Sequence, residues 1–305
     1  MKKNLFPISF ILTLFYLCSC NISNTVKAQS ETHLGPELKS IFINGDSIHY
    51  IDIGKGDPVV FVHGALGDYR TWQAQIDTFA KNHRVIVYSR RYAWPNQQTM
   101  IDSSKHSFAS HANDLAEFLK KLDPGPAHLV GHSSGAYITL LAAIDHPELV
   151  RSLTLGEPPV MSLLPPPSPT DANPFAKAVE AFANNEQEKA VHSFVGVVTG
   201  DSSYFSRLSQ YNRELMMMNT QEARANVTLQ NIMPPVTCND LKKINCPVLL
   251  LGGDKSPSFF PLIINKMEPC LRNKEKATLP NTSHGLEYEN PSEFNKVVLG
   301  FIGKH

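Results

Sequence analysis

The sequence predicts an α/β fold with a mostly parallel sheet and helices on both of its faces. Two observations predict it: apolar runs of strand length recur along the chain, and between them apolar residues repeat at helical spacing. Strands separated by helices pair in parallel, because a parallel neighbour requires a long crossover. A third observation refines the fold. The stretch 158–241 carries helical patterns without a convincing strand, which predicts an all-helical insertion between two strands.

Length and charge limit the function classes. The chain has 305 residues and 42% hydrophobic content, enough for one large α/β domain with an inserted subdomain. Lys plus Arg and Asp plus Glu both number 28, and no run of like charge occurs, so no nucleic-acid partner is expected. A small hydrophobic or neutral ligand fits this composition, and the oligomeric state is left open.

The N-terminal residues 1–28 are predicted to be a signal peptide and tether. Two lysines precede an apolar stretch, 5–17, which is too short to span a membrane. It ends in LCSC, which resembles a bacterial lipobox with Cys20 as the acylated residue. Cleavage after Ala28 is the alternative. We therefore expect an exported protein, either a lipoprotein at a membrane surface on the periplasmic or outer side, or a periplasmic or secreted protein.

Seven apolar runs are predicted to be strands, mostly buried on both faces because they are rich in Val, Ile and Leu. They are 48–53, 58–64, 84–89, 127–132, 151–157, 247–253 and 276–280.

Helices are predicted where apolar residues fall on one face, in 115–122, in 137–144 and in 294–301 after the cap Asn290. The predicted organisation is one α/β core in two parts, 29–157 and 242–305, interrupted by the helical segment 158–241. That segment is a candidate lid, and a helical bundle without a ligand role is the alternative.

The pentapeptide GHSSG, 131–135, lies between a predicted strand and a predicted helix. Its two glycines permit a sharp turn that leaves the hydroxyl of Ser133 exposed at the sheet edge. Ser133 is therefore the candidate nucleophile. The backbone N–H of Ser134, at the start of the helix, is placed to face a developing oxyanion.

A serine hydroxyl needs a base to remove its proton. His284 is the candidate, because it lies in a polar loop after the last predicted strand, at the expected carboxyl edge of the sheet. His63 and His132 fall inside turn motifs.

The chain resembles the α/β-hydrolase fold family, in its serine-nucleophile, lid-containing branch. The resemblance rests on FVHGALGDYRTW, GHSSGA, CPVLLLGGDKSP and SHGLEYENPSEFNKVVLGFI, four blocks in family order over nearly the whole mature chain. It implies an oxyanion hole formed by the backbone N–H groups of Ala65 and Ser134, and a lid after Glu157. No cofactor and no metal site are expected.

Two residues compete as the acid that orients His284. Much of the family places the acid after the late strand, where this chain has Asp254, although its spacing from the glycine departs from the family pattern. Other branches place it at the end of the strand that follows the helix after the serine turn, where this chain has Glu157. Glu157 is favoured, because a glutamate before two prolines at a strand end is poorly explained as a solubilising residue.

These residues predict a serine hydrolase acting on an ester, lactone or related carbonyl substrate, with esterase activity the simplest case. A serine-type haloperoxidase or perhydrolase, or a carbon–carbon bond hydrolase, would carry the same triad. A non-catalytic ligand-binding receptor is the alternative of another class. Candidate pocket residues, for which core packing is the competing interpretation, are Tyr92, Trp94, Phe194, Met216, Met217, Met218 and Met233.

Three cysteines follow the predicted signal: Cys238, Cys246 and Cys270. Because their number is odd and two lie within or beside apolar runs, buried free thiols are favoured, with one disulfide as the alternative.

Overall fold

An eight-stranded sheet is the centre of the fold. The computed structural model describes residues 36–96, 106–166, 168 and 170–305. Predictions for residues 1–28, Cys20 included, lie outside this range. Among the helices of the described residues, none has both the length and the apolar character needed to cross a bilayer.

The sheet order is β1-β2-β4-β3-β5-β6-β7-β8. Strands β3 to β8 are parallel, and β1 and β2 are antiparallel additions at one edge. The predicted α/β class with a mostly parallel sheet is therefore confirmed. The strands are β1 (Lys39–Ile43), β2 (Asp46–Gly54), β3 (Pro58–Val62), β4 (Arg84–Tyr88), β5 (Ala127–His132), β6 (Val150–Gly156), β7 (Val248–Gly253) and β8 (Lys274–Leu279).

The central strands are buried on both faces, as predicted, because helices cover the sheet on each side. Every residue of β3 and β5 is buried. For β8 the prediction of burial on both faces is wrong, because this strand forms the far edge of the sheet and alternate residues are exposed. Lys274 and Lys276 are among them, and edge lysines hinder pairing with another strand.

Strand β1 was not predicted. It forms a hairpin with β2 through Asn44 and Gly45, both at positive φ, as two-residue hairpin turns with an Asn-Gly sequence require. The Asn-Gly pair, directly after the apolar residues Ile41, Phe42 and Ile43, is the signal that sequence reasoning passed over.

Twelve α-helices accompany the strands in the described residues. They are α1 (Gln73–Phe79), α2 (Phe108–Leu122), α3 (Ser134–Asp145), α4 (Ala176–Ala183), α5 (Gln187–Thr199), α6 (Tyr204–Arg207), α7 (Gln210–Met218), α8 (Thr220–Thr228), α9 (Cys238–Leu241), α10 (Phe259–Met267), α11 (Leu286–Glu289) and α12 (Pro291–Ile302).

The side chains of alternate strand residues pack in two separate cores, one on each face of the sheet. Val60 and Val62 of β3 pack with α2, α3 and α10 on one face. Val59 and Phe61 of the same strand pack with α1 and α12 on the other. This alternation follows from the two-residue repeat of a strand, and it explains why the central runs are apolar throughout.

The chain between β6 and β7 is helical, and its described residues contain no strand. Helices α4 to α8 form a third apolar cluster that includes Ala65 and Leu66, from the loop after β3. The segment 158–241 therefore packs directly on a loop at the carboxyl end of the sheet.

A disulfide joins Cys238 of α9 to Cys270. The favoured prediction of buried free thiols is wrong for this pair, and the alternative of one disulfide is confirmed. Cys246 is free and only partly buried. The bond forms because α9 packs against the turn 268–270 that follows α10, a neighbour relation that spacing along the chain does not reveal.

Candidate active site

Four loops meet at one edge of the sheet because the strands that precede them are parallel. The loops after β3, β5, β6 and β8 carry Ala65, Ser133, Glu157 and His284. The carboxyl ends of parallel strands are the usual place for ligand sites in open α/β sheets.

Ser133 occupies a sharp turn between β5 and α3. Its φ is 53°, in the left-handed region that non-glycine residues rarely adopt, and such strain is typical of functional turns. The flanking glycines make the turn possible. A Cβ on Gly131 would lie 2.6 Å from the Cα of Ala136, and one on Gly135 would lie 2.2 Å from the carbonyl oxygen of Val62. The turn at Ser133 is thus packed tightly against β3 and α3.

His284 and Glu157 form a buried pair. The Nδ1–H of His284 donates to Oε2 of Glu157 at 2.7 Å, and Glu157 is only 1% exposed. The other carboxylate oxygen, Oε1, accepts from the backbone N–H of Gly253 at 2.8 Å, which fixes the orientation of the carboxylate. The ring of Phe260 stacks on the imidazole with centroids 4.1 Å apart. His284 is therefore held in one orientation on two sides.

Asp254, the competing acid, is directed elsewhere. Its side chain is exposed, and its Oδ1 accepts from the backbone N–H of Thr282 at 3.0 Å. Hydrogen bonds from the backbone of Asn281 and Thr282 lower the pKa of Asp254. Asp254 thus braces the loop before His284, and the structure brings Glu157 to the imidazole.

The electrostatic surroundings keep His284 neutral near pH 7. Burial lowers the pKa of His284 below its usual value, and the hydrogen bond to Glu157 opposes that shift without reversing it. A neutral imidazole with its proton on Nδ1 has a free lone pair on Nε2, the form that accepts a proton.

The two residues expected to form an oxyanion hole lie near the serine. Ser134 is the first residue of α3, and the N–H groups of the first helical turn have no partner within the helix. Ala65 lines the same pocket as Ser133 and His284.

That pocket encloses about 550 Å³ of empty space, its open mouth included. Phe194 and Met216 of the helical segment line it and also pack in the apolar cluster of that segment, so both interpretations of these two residues hold. Tyr92 and Trp94 do not, so that hypothesis is wrong. Tyr92 packs against His106 and His111, and Trp94 stacks on Tyr69 with the guanidinium of Arg70 over its ring.

The remaining candidate methionines also lie outside the pocket wall. Met217 packs in the cluster of the helical segment, Met233 packs on the main core, and Met218 is partly exposed beside Arg70. The contacts of these three methionines fit the competing interpretation, packing, better than a place in the pocket wall.

Sequence reasoning missed a second buried His–Glu pair beside the first. His132 donates from Nε2 to the carbonyl oxygen of His284 at 2.7 Å, and its Nδ1 lies 3.0 Å from Oε1 of Glu287. Burial alone would lower the pKa of His132, but the Glu287 carboxylate, together with Glu157 and the carbonyl of His284, outweighs burial and the pKa is raised. The pair therefore ties the loop of His284 to the serine turn. Its only sequence signal was the position of His132 directly before Ser133.

Within the part of the chain that the structure describes, no three His, Cys, Asp or Glu side chains are grouped as a metal site.

Comparison with known proteins gives consistent matches. Residues 57–291 match the family described as alpha/beta hydrolase fold. An (E)-2-((N-methylformamido)methylene)succinate hydrolase of Acinetobacter baylyi is 30% identical over 273 residues, covering 85% of this chain and 95% of that protein. An uncharacterized hydrolase of Bacillus subtilis, YraK, is 28% identical over 232 residues, covering 72% and 79%. A bromoperoxidase structure from Bacillus anthracis superimposes with a TM-score of 0.74 at 21% identity, covering 88% of this chain and 100% of that one.

Proposed function

This chain belongs to the α/β-hydrolase fold family, and on that premise we propose that it is a serine hydrolase that cleaves an ester, lactone or related carbonyl substrate. The observation that carries the proposal is the buried pair of His284 and Glu157, joined at 2.7 Å behind a pocket that Ser133 also lines. A nucleophile, a base and an acid that orients the base are the parts that acyl transfer requires.

In the first half of the proposed reaction, the Oγ of Ser133 attacks the substrate carbonyl while Nε2 of His284 accepts the serine proton. Glu157 stabilises the imidazolium that forms and keeps the ring in place. The N–H groups of Ala65 and Ser134 stabilise the negative oxygen of the tetrahedral intermediate. His284 then returns the proton to the leaving oxygen, and the acyl group remains on Ser133.

The second half uses the same groups with water as the nucleophile. His284 takes a proton from water as the water oxygen attacks the acyl carbonyl. When the second intermediate collapses, His284 returns that proton to Oγ of Ser133, which releases the acid and restores the serine hydroxyl.

A small to medium hydrophobic acyl group is the proposed substrate feature. The pocket wall is mainly apolar, with Leu66, Phe194, Val198 and Met216 close to the nucleophile. Because α5 and α7 supply part of this wall, we propose that segment 158–241 acts as a lid that shapes the acyl site.

A haloperoxidase or perhydrolase activity is the second candidate. It is favoured by the similarity in fold to a bromoperoxidase and needs only that hydrogen peroxide replace water in the second half. Carbon–carbon bond hydrolysis remains a further alternative of the same triad. A receptor without turnover is the alternative of another class.

The deciding experiment exposes the purified chain to a fluorophosphonate probe and to p-nitrophenyl esters of increasing acyl length, beside Ser133→Ala. We expect labelling and hydrolysis that both disappear in the variant. Labelling without turnover of any ester would favour the receptor. A rate that rises with added peroxide, read as peracid formation, would favour the perhydrolase.

A site outside the cytoplasm, at a membrane surface, is also proposed. Its support is the sequence pattern around Cys20, which lies outside the described residues, together with the disulfide between Cys238 and Cys270, since such bonds persist in oxidising compartments. Cys20→Ala is expected to move the protein from the detergent phase to the aqueous phase. Mass spectrometry of the mature N-terminus distinguishes this site from cleavage after Ala28.

A further inference from the structure

A buried arginine, Arg90, lies beneath the proposed oxyanion hole and has no part in the proton transfers described above. It follows β4 and is 1% exposed. Its Nη2 donates to the carbonyl oxygen of Gly64 at 3.0 Å and to Oγ of Ser134 at 3.2 Å, and it also bonds the carboxylate of Glu222. A buried guanidinium is tolerated only when it is paired and hydrogen-bonded, so these partners fix its position.

The contact with Gly64 determines the direction of an N–H group. The Gly64–Ala65 peptide is trans, and in a trans peptide the carbonyl and the N–H point in opposite directions. Since the carbonyl of Gly64 faces Arg90, the N–H of Ala65 faces away from Arg90. Ala65 lines the pocket together with Ser133 and His284.

The carbonyl oxygen of Gly64 is held by three donors. Besides Arg90, it accepts from Nδ1 of His63 at 2.8 Å and from the backbone N–H of Gly67 at 3.2 Å. A cationic donor on the oxygen polarises the peptide and makes its N–H a stronger donor. The peptide is thus both rigid and polarised before substrate binds, which is what an oxyanion site requires.

His63 and Arg90 fix each other. The backbone N–H of Arg90 donates to Nε2 of His63 at 3.0 Å, so the imidazole proton is on Nδ1 and faces the Gly64 carbonyl. Burial, and the nearby charge of Arg90, lower the pKa of His63 well below its usual value, which keeps this neutral tautomer.

The partner of this guanidinium is a carboxyl group of the helical segment, Glu222, whose pKa is raised to about 7 by burial against the opposing effect of Arg90. Glu222 lies in α8 and is buried against Arg90, and the hydroxyl of Ser134 bonds the same guanidinium nitrogen. One nitrogen atom therefore contacts the carbonyl of the Gly64–Ala65 peptide, the hydroxyl of Ser134 and a carboxyl group of the proposed lid.

We propose that Arg90 is a positioning residue for the oxyanion hole, acting through the Gly64–Ala65 peptide and Ser134, and that Glu222 of the helical segment holds Arg90 in place. The inference rests on the proposed serine hydrolase function. This role of Glu222 would explain why the helical segment packs on the loop after β3.

The test compares the double variant Arg90→Met/Glu222→Gln with wild type. The double variant removes both buried charges together, because removing Arg90 alone would leave a buried carboxylate unpaired. Arg91→Met is the matched control. Arg91 is the next residue, is also buried, and pairs with Asp114 and Asp46 away from the Gly64 peptide.

Three quantities are measured on p-nitrophenyl acetate: kcat, KM and the inhibition constant of an alkyl boronic acid, which forms a tetrahedral adduct with the serine. Removing an oxyanion donor costs about 10²–10³ in kcat, so displacing one is expected to cost about 10–100-fold. KM is expected to stay within about threefold, because the loss falls on the transition state. The affinity for the boronic acid should fall in parallel with kcat. Arg91→Met should lower the melting temperature and leave kcat within about threefold.

Two results would overturn the proposal: a folded double variant with wild-type kcat and boronate affinity, or an equal loss of kcat in Arg91→Met. If the double variant does not fold, Arg90→Lys carries the test, because lysine keeps the positive charge beside Glu222 while its ammonium ends about one bond short of the Nη2 position. This variant is expected to lower kcat several-fold at constant KM, and an unchanged kcat would refute the proposal. If the wild-type protein shows no turnover that depends on Ser133, the proposed function is refuted as well. If the wild-type protein is active and the variants are unaffected, only this inference is refuted.

Discussion

Replacement of Glu157 by glutamine is the change that tests the candidate site most directly. In the wild-type structure each carboxylate oxygen has one donor: Nδ1 of His284 at 2.7 Å and the N–H of Gly253 at 2.8 Å. An amide offers one acceptor oxygen and one NH₂ group. Whichever way it is turned, its NH₂ group therefore faces either Nδ1 or the Gly253 N–H.

If the NH₂ group faces His284, the imidazole is driven to the tautomer with its proton on Nε2. That nitrogen then has no lone pair with which to accept the proton of Ser133. Replacing the acid of such a triad by its amide lowers kcat by about 10⁴-fold, which is about 5 kcal/mol of transition-state stabilisation. Because Glu157 is buried and its carboxylate is fixed by Gly253, water is not expected to replace it, and we expect a loss of this order.

The assay is steady-state hydrolysis of p-nitrophenyl acetate together with the rate of fluorophosphonate labelling, which should fall in parallel. Asp254→Asn is the matched control, since an asparagine oxygen can still accept from Thr282, and its kcat should remain within about threefold of wild type. A loss in Asp254→Asn equal to or greater than that in Glu157→Gln would refute the assignment of Glu157 as the acid.

Three further predictions concern pH dependence, packing and the disulfide. Burial lowers the pKa of His284 and only the neutral form accepts a proton, so kcat/KM should rise with pH through a midpoint below 6.5 and be flat at pH 7–8; a midpoint above 6.5 in a pH–rate profile would contradict this. Gly135→Ala should lower the free energy of unfolding by about 3 kcal/mol or more, because the new Cβ would overlap two backbone oxygens of β3 and its loop, whereas Gly300→Ala, with open space in α12, should be neutral or stabilising in the same urea titration. Cys238→Ser should lower the unfolding free energy by about 3–4 kcal/mol, the chain-entropy value for the 32-residue separation from Cys270, and a loss under about 1 kcal/mol would mean the bond contributes little to the folded state.

The strand and helix pattern was predictable because local physics determines it. Strands of a parallel sheet that is covered on both sides must be apolar on both faces. The runs at 58–64 and 127–132 can therefore be predicted to be strands without any tertiary information. The sharp turn at Ser133 could be predicted for a related reason. A turn as tight as that at Ser133 requires glycines on both sides, and the sequence shows them.

The prediction failed where an element depends on its neighbours. Strand β8 alternates in exposure because it is an edge, and an edge is a property of the assembled sheet. Cys238 and Cys270 pair because α9 meets the turn after α10. Tyr92 lies against His106 and His111 of α2 and its N-terminal approach, away from the pocket, and spacing along the chain does not reveal these contacts.

The sequence by itself determined the α/β class and the tight turn at Ser133, and it gave the proposed base, His284 among twelve histidines, and two candidates for the acid. Only the tertiary structure decided that the carboxylate of Glu157, and not that of Asp254, faces the imidazole. The reason is physical: strand order and side-chain direction bring together residues 127 positions apart, and spacing along a chain does not encode that meeting. The same holds for Arg90 and Glu222, whose buried contact exists only once the helical segment has folded over the loop after β3.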